Sequence, residues 1–575
     1  MDASGPASRQ HQEPTFSELF TPKLVTILRD GYRTSDFRAD AISGLTVALV
    51  ALPLSMAIAI GSGLSPDKGL YTAIVGGFLI SALGGSRFQI GGPAGAFIVL
   101  IASIVERQGY DGLVLATIMA GVMMIAVGLL RLGTYIKYIP IPVTVGFTAG
   151  IAVIIFASQV KELLGLDIVN EPAALLAKVM AIWDSIYSIK PLTVGLSLLS
   201  LGIILGLRRL SPKWPGLLIA VAVTAALTAM LHLDVATVGS RFGGIPSTLP
   251  APMLPAFSLA KMRAVLPDAI AIALLGAIES LLSAVVADGM SGRKHRSNCE
   301  LVAQGVANTA SVIFGGMCVT GTIARTATNV RAGARGPVSG MLHALYILIF
   351  MLIAAPLAAY IPLACLGAVL AVIAWNMAEK QEFVGLLRSS WGDATVLMAT
   401  FLLTIFEDLI IAIGVGVTLG AFLFLHRMAE AIEIEGGGHL VADDVADTVG
   451  TSRTPYDPTT LNRNAIVYRI SGPYFFGATA TVSSVLDRIG EHPKVFVLDF
   501  SDVPLVDTTA AKALETFLHK LQKSGTRVYF SGTRKSVRRT LLIAGLRRPL
   551  VHYAATADEA IANWRTASAP KNGGL

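Results

Sequence analysis

Apolar residues dominate the chain from about residue 41 to residue 425, in runs that short polar stretches separate. We count about fourteen runs, and several are shorter than the roughly 20 residues that a helix needs to cross a bilayer. The pattern predicts a polytopic α-helical membrane protein. The predicted spans are 41–60, 69–83, 92–105, 112–130, 142–160, 192–207, 215–231, 265–287, 299–313, 322–334, 337–355, 361–376, 391–405 and 409–425.

The composition supports this class. Hydrophobic residues make up 53% of the 575 residues and charged residues 14%, whereas soluble domains carry about 25% charged residues. The net charge of +7 is modest, and the basic residues lie between apolar runs, which argues against a nucleic-acid partner. Cys299, Cys318 and Cys365 show no CxxC spacing, so we expect neither a metal site nor a disulfide framework. We also expect no cofactor.

Charge also orients the chain. If the N-terminus lies inside, the loops on that side hold most of the lysines and arginines, which is the positive-inside pattern. An even number of spans then places both ends in the cytoplasm. Residues 1–40 show no cleavable signal peptide, and within them 15–29 is expected on the membrane surface, interrupted at Pro22. We therefore predict a multi-pass protein of the plasma (inner) membrane, in contact with lipid, whose membrane domain is 41–427.

The spans divide into two halves. A proline-rich loop, 233–263, separates them, and the third span of each half is short and broken by glycine, at 88–97 and 315–325. Paired broken segments at corresponding positions are the best sequence pointer to the binding site of an inverted-repeat transporter. Because each half has seven spans, an odd number, the second half is expected to insert upside down relative to the first.

The two broken segments suit an anion. A half-helix that begins at mid-membrane directs unpaired N–H groups and a positive dipole end into a cavity. Pro93 is expected in the first turn of the first half-helix, and Arg325 one turn into the second, where it adds a full positive charge. The alternative is that the glycines only permit close helix packing. The glycines in question are Gly91, Gly92, Gly95 and Gly321.

Glu279 stands in the middle of the apolar run 266–286. A charged carboxylate at the bilayer centre costs about 2.5 to 3.5 kcal/mol, so we expect it to face a cavity, bind a cation or carry a proton. The alternative is a structural carboxylate that is paired with Arg325 or hydrogen-bonded to the backbone of a broken helix, and both readings hold if a proton arriving at Glu279 releases Arg325 to a substrate. Ser283 lies one turn on, where it lines the cavity or bonds back to the carbonyl of Glu279.

The chain changes character after about residue 427. A polar linker is predicted at 428–462, followed by a small α/β domain at 463–567 and a tail at 568–575. Strand-like segments at 466–470, 495–500 and 527–531 alternate with amphipathic segments at 480–489 and 509–524, which is typical of α/β folds.

Several segments together resemble the signature of the SulP (sulfate permease) family of anion transporters. They are 276–280, 287–290, 297–308 and 324–334, with 51–57 and 84–87 earlier in the chain. The resemblance runs from about Asp36 to the C-terminus. It implies a 7+7 inverted repeat of the uracil-transporter type, a core of spans 1–4 and 8–11, a gate of spans 5–7 and 12–14, a homodimer and elevator-like movement.

The resemblance also implies a site. Glu279 matches the family's acidic position in the eighth span, with Ser283 beside it, and Arg325 its arginine in the tenth. The positions that match the substrate site are Leu54 and Ser55 in the first span, Gly92, Pro93, Ala94, Gly95, Ala96 and Phe97 in the third, and Gly321, Thr322, Ile323 and Ala324 in the tenth.

Two departures from the family pattern affect the chemistry. Many members carry Gln where Leu54 stands, so a direct polar contact is lost here. Sodium-coupled bicarbonate members have Asp in place of Glu279 and a Thr where Ile323 stands, and an apolar side chain cannot ligate a hard cation. Protons are therefore favoured over sodium as the coupling ion. The pattern around Pro53 looks closest to the bacterial branch of sulfate permeases that includes a C4-dicarboxylate transporter.

The stretch 497–510 resembles a STAS domain. In bacterial anti-sigma antagonists a serine after the matching aspartate is phosphorylated, and Thr508 occupies that place here. The alternative is that Asp507 and Thr508 only cap the following helix.

We expect a secondary active transporter that takes up sulfate or a related small anion with protons. One alternative is a transporter of C4-dicarboxylates or bicarbonate, with sodium as an alternative coupling ion. The other is a membrane sensor that does not transport and whose output is the STAS domain. No nucleophile–base pair or phosphate loop supports an enzyme.

Overall fold

The computed structural model describes most of the chain and forms two compact units, Met1–Val417 and Thr418–Leu575. Predictions for 1–15, 480–489, 569–575 and most of 428–462 lie outside the described residues. The described residues are 16–134, 139–168, 172, 174–211, 214–255, 257–407, 409–430, 433–436, 465–476, 479, 494–523 and 525–568.

The first unit is helical, and its last helix, Leu409–Glu430, continues into the second unit, which begins at Thr418. Each of the fourteen apolar runs contains helix, and three further helices, α8, α11 and α17, lie in segments predicted as loops. The helices are α1 Phe16–Phe20, α2 Lys23–Gly31, α3 Thr34–Gly61, α4 Pro66–Tyr71, α5 Gly77–Leu83, α6 Ile98–Leu129, α7 Ile141–Leu164, α8 Leu175–Asp184, α9 Pro191–Leu210, α10 Gly216–Met230, α11 Val238–Phe242, α12 Leu259–Ser291, α13 Ser297–Ile313, α14 Ile323–Arg331, α15 Val338–Ala358, α16 Leu363–Met377, α17 Lys380–Ser389, α18 Trp391–Phe406 and α19 Leu409–Glu430.

Length and apolar composition identify the candidate membrane spans. Within the described residues, eight helical segments are long and apolar enough to cross a membrane, and α10 and α18 are shorter apolar helices. One of the eight, α6, is really two helices, because Gly109 adopts φ 68° and ψ −177° and interrupts it. A left-handed φ is accessible to glycine at little cost. The predicted third and fourth spans therefore meet at Gly109.

The boundaries differ from the sequence prediction at both ends of the membrane region. Helix α3 begins at Thr34 rather than at residue 41; its first turn is polar and mostly exposed, so it gives no apolar signal, and Asp40, further along, is fully buried. Asp40 accepts hydrogen bonds from the backbone of Arg335 and Gly336 and from Tyr32. Upstream, Pro22 separates α1 from α2, as the sequence predicts.

Two short strands cross at the centre of the first unit. Strand β1 (Gly91–Gly92) pairs antiparallel with β2 (Thr320–Gly321), in the register Gly91↔Gly321 and Gly92↔Thr320. Each strand leads into one of the predicted half-helices. The crossing therefore joins the two halves of the sequence at their broken segments.

The second unit contains a five-stranded sheet in the order β3-β4-β5-β6-β7, in which β3 is antiparallel to β4 and the other pairs are parallel. Apolar side chains of β5 are buried on both faces, as expected for a central parallel strand. The elements are β3 Glu433–Gly436, β4 Ala465–Ser471, β5 Val495–Asp502, β6 Arg527–Ser531, β7 His552–Tyr553, α20 Thr508–Lys523, α21 Lys535–Ile543 and α22 Ala557–Ser568.

Strand β3 corrects the predicted linker 428–462. Helix α19 continues to Glu430, and the segment Glu433–Gly436 is the edge strand of the sheet. Two of its four residues are glutamates, which gives no hydrophobic run, so its strand conformation comes from pairing with β4.

Candidate functional site

Buried polar side chains hold the strand crossing in place. Asn308 of α13 acts as a backbone substitute: its Nδ2 donates to the carbonyl of Val319 at 2.7 Å and its Oδ1 accepts from the N–H of Val319 at 2.9 Å. Thr326 accepts from the N–H of Ile90, and Thr322 N donates to the carbonyl of Ile90. These bonds satisfy backbone groups that neither helix can satisfy, a requirement for irregular backbone between membrane helices.

Both half-helices begin next to this crossing. The first starts with a 3₁₀ turn, Gly95–Phe97, and continues as α6, while the second is α14, nine residues long. The prediction that Pro93 lies in the first turn is wrong. Extended backbone continues through Ala94 (φ −114°, ψ 144°), so the helix begins only after it. The first N–H groups of each helix have no intrahelical acceptor and carry the positive end of its dipole.

Arg325 is buried between the two half-helices, with 2% of its surface exposed. Its Nη2 donates to Ser55 Oγ at 3.1 Å and to the carbonyl oxygen of Pro93 at 3.3 Å. Its Nε and Nη1 have no hydrogen-bond partner within the described residues. The guanidinium is therefore held by one edge and keeps unsatisfied donors.

Glu279 of α12 lies on the wall of a cavity that Arg325 also lines. Its Oε2 is buried and has no hydrogen-bond partner among the described residues. The alternative of an ion pair with Arg325 is not what the structure shows, because Arg325 donates to Ser55 and Pro93 instead. The described wall thus holds one cationic group, Arg325, and two carboxyl groups, Glu279 and Glu379, and Glu279 does not neutralise Arg325 directly.

The cavity measures about 290 Å³ and contains most of the predicted site. Its wall includes both half-helix starts, the C-terminal third of α3 and the middle of α12. Ten predicted residues line it: Leu54, Pro93, Ala94, Gly95, Ala96, Glu279, Thr322, Ile323, Ala324 and Arg325.

The other predicted residues lie behind the wall. Ser55 supports Arg325, and Phe97 is fully buried in the helical core. Ser283 donates to Thr326 Oγ1 at 3.0 Å, so it neither lines the cavity nor bonds to the carbonyl of Glu279. Gly92 and Gly321 make room for protein side chains rather than for a ligand, since a Cβ would overlap Arg325 and Gln89 respectively.

Eleven further residues of the wall were not predicted. Four belong to α3 and α12, which already carry predicted site residues: Ile58, Leu275, Ile278 and Leu282. The other seven come from α7, α16 and the residues just after α16, where the sequence shows no broken segment. Thr144 and Thr148, spaced i and i+4 in an apolar helix, are a weak signal for the α7 face. The seven are Thr144, Phe147, Thr148, Ile373, Asn376, Met377 and Glu379.

A second cavity, of about 310 Å³, lies beyond the first turn of α6. Pro93 to Ala96 face the first cavity, whereas Ile98 to Leu100 face the second. Arg107 and Asp268 line the second cavity and form an ion pair at 2.7 Å, and Lys178 is also in its wall. Along α7, Phe147 belongs to the first cavity and Ile154 to the second, and Ile151 between them is fully buried.

In the second unit, Asp507 caps α20. Its Oδ1 accepts from the N–H of Ala510 at 2.8 Å and its Oδ2 from the N–H of Phe476 at 3.0 Å. Thr508, the predicted phosphorylation site, is exposed in the first turn. Of Asp507 and Thr508, Asp507 is therefore the residue that caps the helix, and Thr508 is exposed to solvent.

Comparison with known proteins identifies the class of this fold. Residues 37–400 match the family model described as "Sulfate permease family", and residues 458–560 match the STAS domain. The chain belongs to the sulfate permease family. It is therefore a membrane transporter with a C-terminal STAS domain, and its relatives are transporters rather than enzymes.

Three relatives illustrate the similarity. The chain is 39% identical to "Putative sulfate transporter YvdB" of Bacillus subtilis (strain 168), over 90% of this chain and 95% of the relative. It is 31% identical to "Bicarbonate transporter BicA" of Synechocystis sp., over 88% and 90%. The structure of the murine Slc26a9 anion transporter in the inward-facing state matches with a TM-score of 0.81 at 18% identity, covering 97% of this chain and 96% of that one, which shows the shared fold.

Proposed function

We propose that the protein is a secondary active transporter that takes up sulfate or a related small anion together with protons. The observation that carries the proposal is the 290 Å³ cavity in which both half-helix starts, Arg325 and Glu279 meet. Arg325 and the helix N-termini supply the positive field that attracts an anion. Glu279 supplies a carboxyl group that can exchange a proton with the same cavity.

Protons are favoured over sodium because of the side chains near Glu279. A hard cation requires several oxygen ligands. Ile323, which also lines the cavity, offers none, and the nearby Thr322 hydroxyl lies 3.3 Å from the carbonyl of Ile90, to which it donates. A lone carboxyl group needs no such ligand set to bind a proton.

The proposed topology is fourteen spans in two inverted halves. The antiparallel pairing of β1 with β2 supports it, because an inverted repeat brings corresponding segments together about a two-fold axis in the membrane plane. We assign α3–α6 and α12–α15 to a core, and α7, α9, α10, α16, α18 and α19 to a gate. The homodimer and the cytoplasmic position of both termini remain predictions from the family resemblance and the loop charges.

Elevator movement is supported by the composition of the two walls. The charged groups of the cavity centre, Arg325 and Glu279, belong to the core, whereas α7 contributes Thr144, Phe147 and Thr148. The described α7 part of the wall has no charged side chain, so a core that carries its own site can slide past it, while Glu379, just after α16, adds a carboxyl group on the gate side. We propose that the second cavity, with Arg107 and Lys178, is the path to the other side of the membrane.

We also propose that the 290 Å³ cavity opens to the cytoplasm in this conformation. Its exposed wall residue Glu379 directly follows α16 and precedes Lys380, and the exposed Leu282 lies in the half of α12 that leads to the loop with the basic residues Arg293 and Lys294. By the positive-inside rule such loops are cytoplasmic.

Uptake into proteoliposomes tests the function. Purified protein is reconstituted, and accumulation of radiolabelled sulfate, bicarbonate or succinate is measured under a pH gradient or a sodium gradient. We expect accumulation of at least one anion with an acidic exterior and none when Arg325→Ala replaces the wild type. The absence of accumulation of every anion under both gradients would favour the transport-inactive sensor.

Bicarbonate is the second candidate substrate, because the chain is 31% identical to a protein named as a bicarbonate transporter. Bicarbonate carries a single charge, which one arginine can balance when Glu279 is protonated. Competition of unlabelled bicarbonate against labelled sulfate at constant pH separates the two candidates.

A further inference from the structure

A long segment of the second unit is strongly basic. From Thr516 to Ala557 the chain holds nine lysines and arginines and no aspartate or glutamate, although the net charge of the entire chain is only +7. The segment includes β6, α21 and β7. The anion cavity of the first unit does not involve it, so the transport function leaves this charge unexplained.

Helix α21 presents part of this charge on its outer face. Val537 and Leu541, one turn apart, are fully buried against the sheet. Lys535, Arg539 and Ile543 follow one another at intervals of four residues and are exposed, so they form the opposite face.

Apolar side chains on this face are unusually accessible. Ile543 is 76% exposed and Leu542 is 41% exposed at the end of the helix. Arg547 and Arg548, four and five residues after Ile543, are exposed as well. We call this surface the basic face, and its members are Lys535, Arg539, Leu542, Ile543, Arg547 and Arg548.

Within the described residues, none of the four basic members makes an ion pair or a hydrogen bond through its side chain. The neighbouring Arg538 differs, because it stacks on the ring of Tyr553 at 4.7 Å. The face thus combines uncompensated positive charge with protruding apolar groups. That combination is typical of surfaces that lie in the interface of an anionic bilayer.

The chain also keeps this unit near a bilayer. Helix α19, an apolar helix of 22 residues, ends at Glu430, and strand β3 of the STAS sheet begins at Glu433. A connection this short gives the domain a high effective concentration at the membrane surface, so weak contacts suffice for binding.

We propose that the basic face docks the STAS domain onto anionic phospholipid headgroups, with Leu542 and Ile543 entering the interface. Arg539, Arg547 and Arg548 supply the electrostatic attraction. This docking depends on lipid charge and is independent of which anion is transported, so its failure would leave the proposed transport function untouched.

The test uses the full-length protein in nanodiscs. The chain has three cysteines, Cys299, Cys318 and Cys365, and all are buried, so Ser536→Cys introduces one accessible labelling site on α21. An environment-sensitive fluorophore at this site is exposed to quencher-bearing lipids, in phosphatidylcholine alone and with increasing phosphatidylglycerol. We expect quenching to rise with phosphatidylglycerol and to fall at high salt.

Variants separate docking from general electrostatics. Removing charge at Arg539, Arg547 and Arg548 with glutamine is expected to weaken apparent affinity for the anionic surface about fivefold for each charge. Ile543→Ser is expected to reduce quenching with the charges intact. Arg565→Gln, on α22 and outside the basic segment, is the matched control, and a label at Asp558→Cys is expected to show no quenching.

Three results would overturn the proposal. The first is quenching that is equal with and without phosphatidylglycerol. The second is an equal loss of quenching in Arg565→Gln. The third is a response of the probe to soluble polyglutamate but not to phosphatidylglycerol, which would assign the basic face to an acidic protein partner.

Discussion

Gly92 lies directly against the guanidinium of Arg325, so closely that a Cβ on residue 92 would overlap Nη1. The two residues belong to different halves of the sequence, and β1 and β2 bring them together. Among the described residues, Arg325 is the one arginine in the cavity wall, so any side chain at residue 92 must displace the charge that is proposed to attract the anion.

We therefore expect Gly92→Ala to fold but to bind its substrate poorly. Loss of a charged hydrogen-bonding group is worth about 1.5 to 3 kcal/mol, which corresponds to roughly a ten- to hundredfold rise in apparent KM for anion uptake. Gly289→Ala is the matched control, since a Cβ there meets nothing within 4 Å. An unchanged KM in Gly92→Ala would contradict the role of Arg325.

Glu279→Gln is expected to separate transport from proton coupling. The amide has the same shape but cannot exchange a proton, so uptake driven by a pH gradient should be lost while anion counterflow at equal pH persists. Glu382→Gln, an exposed position on α17, serves as the control. If Glu279→Gln still accumulates anion in response to a pH gradient, another group carries the proton.

Asn308→Ala tests the support of the strand crossing. The substitution leaves the N–H and carbonyl of Val319 without their partner, and each unpaired buried group costs about 1 to 3 kcal/mol. We expect a clear drop in the melting temperature of the purified protein. Thr395→Ala, which removes only a bond within an exposed helical turn, is expected to change it little. Equal melting temperatures would show that the crossing is held by other contacts.

The helices and the position of the site could be predicted because apolar runs, glycine breaks and a buried carboxylate are local features of the sequence. All fourteen runs contain helix, and ten predicted site residues line one cavity. The details that failed are those that depend on contacts between distant segments. Ser283 shares a helical face with Glu279, but Thr326, 43 residues further on, accepts its hydrogen bond.

The α7 and α16 side of the cavity was missed for a related reason. Phe147 and Asn376 are ordinary residues in apolar helices, and the Thr144/Thr148 pair is only a weak signal; they become cavity residues because α7 and α16 contribute to the same wall as the half-helices. Strand β3 was missed because Glu433–Gly436 has no apolar pattern of its own and is defined by pairing with β4.

Asp507 and Thr508 make distinguishable contributions to the STAS domain. Asp507→Ala removes the acceptor for the N–H groups of Ala510 and Phe476, and loss of such a cap costs about 0.5 to 2 kcal/mol. Thr508→Ala is expected to leave stability nearly unchanged. The free energy of urea unfolding, followed by hydrogen exchange in α20, measures both. A larger effect of Thr508→Ala would mean that the threonine is the structural residue.

Asp499 should make the stability of the STAS domain sensitive to acid. Burial alone raises the pKa of this carboxyl, but hydrogen bonds from Ser501, Arg469 and Ser531 outweigh it and hold the pKa below its ordinary value. A lowered pKa stabilises the fold above the unfolded value of about 3.9, and this contribution disappears as the pH falls through the folded value.

The measurement is the free energy of urea unfolding between neutral and acid pH, with hydrogen exchange of β5 as the reporter. Wild type is expected to lose stability steeply below about pH 4, and Asp499→Asn to be less stable at neutral pH with a shallower acid dependence. Asp502→Asn, exposed on the same strand, is the control. Parallel pH profiles for wild type and Asp499→Asn would rule out this carboxyl as the source.

The location of a bound anion tests the account most directly. Selenate has the shape of sulfate and scatters anomalously, so a crystal of the protein soaked in selenate reports where the anion binds. We predict anomalous density in the 290 Å³ cavity, next to the half-helix starts and Arg325. Density confined to the second cavity beside Arg107, with none between the half-helices, would contradict the assigned site.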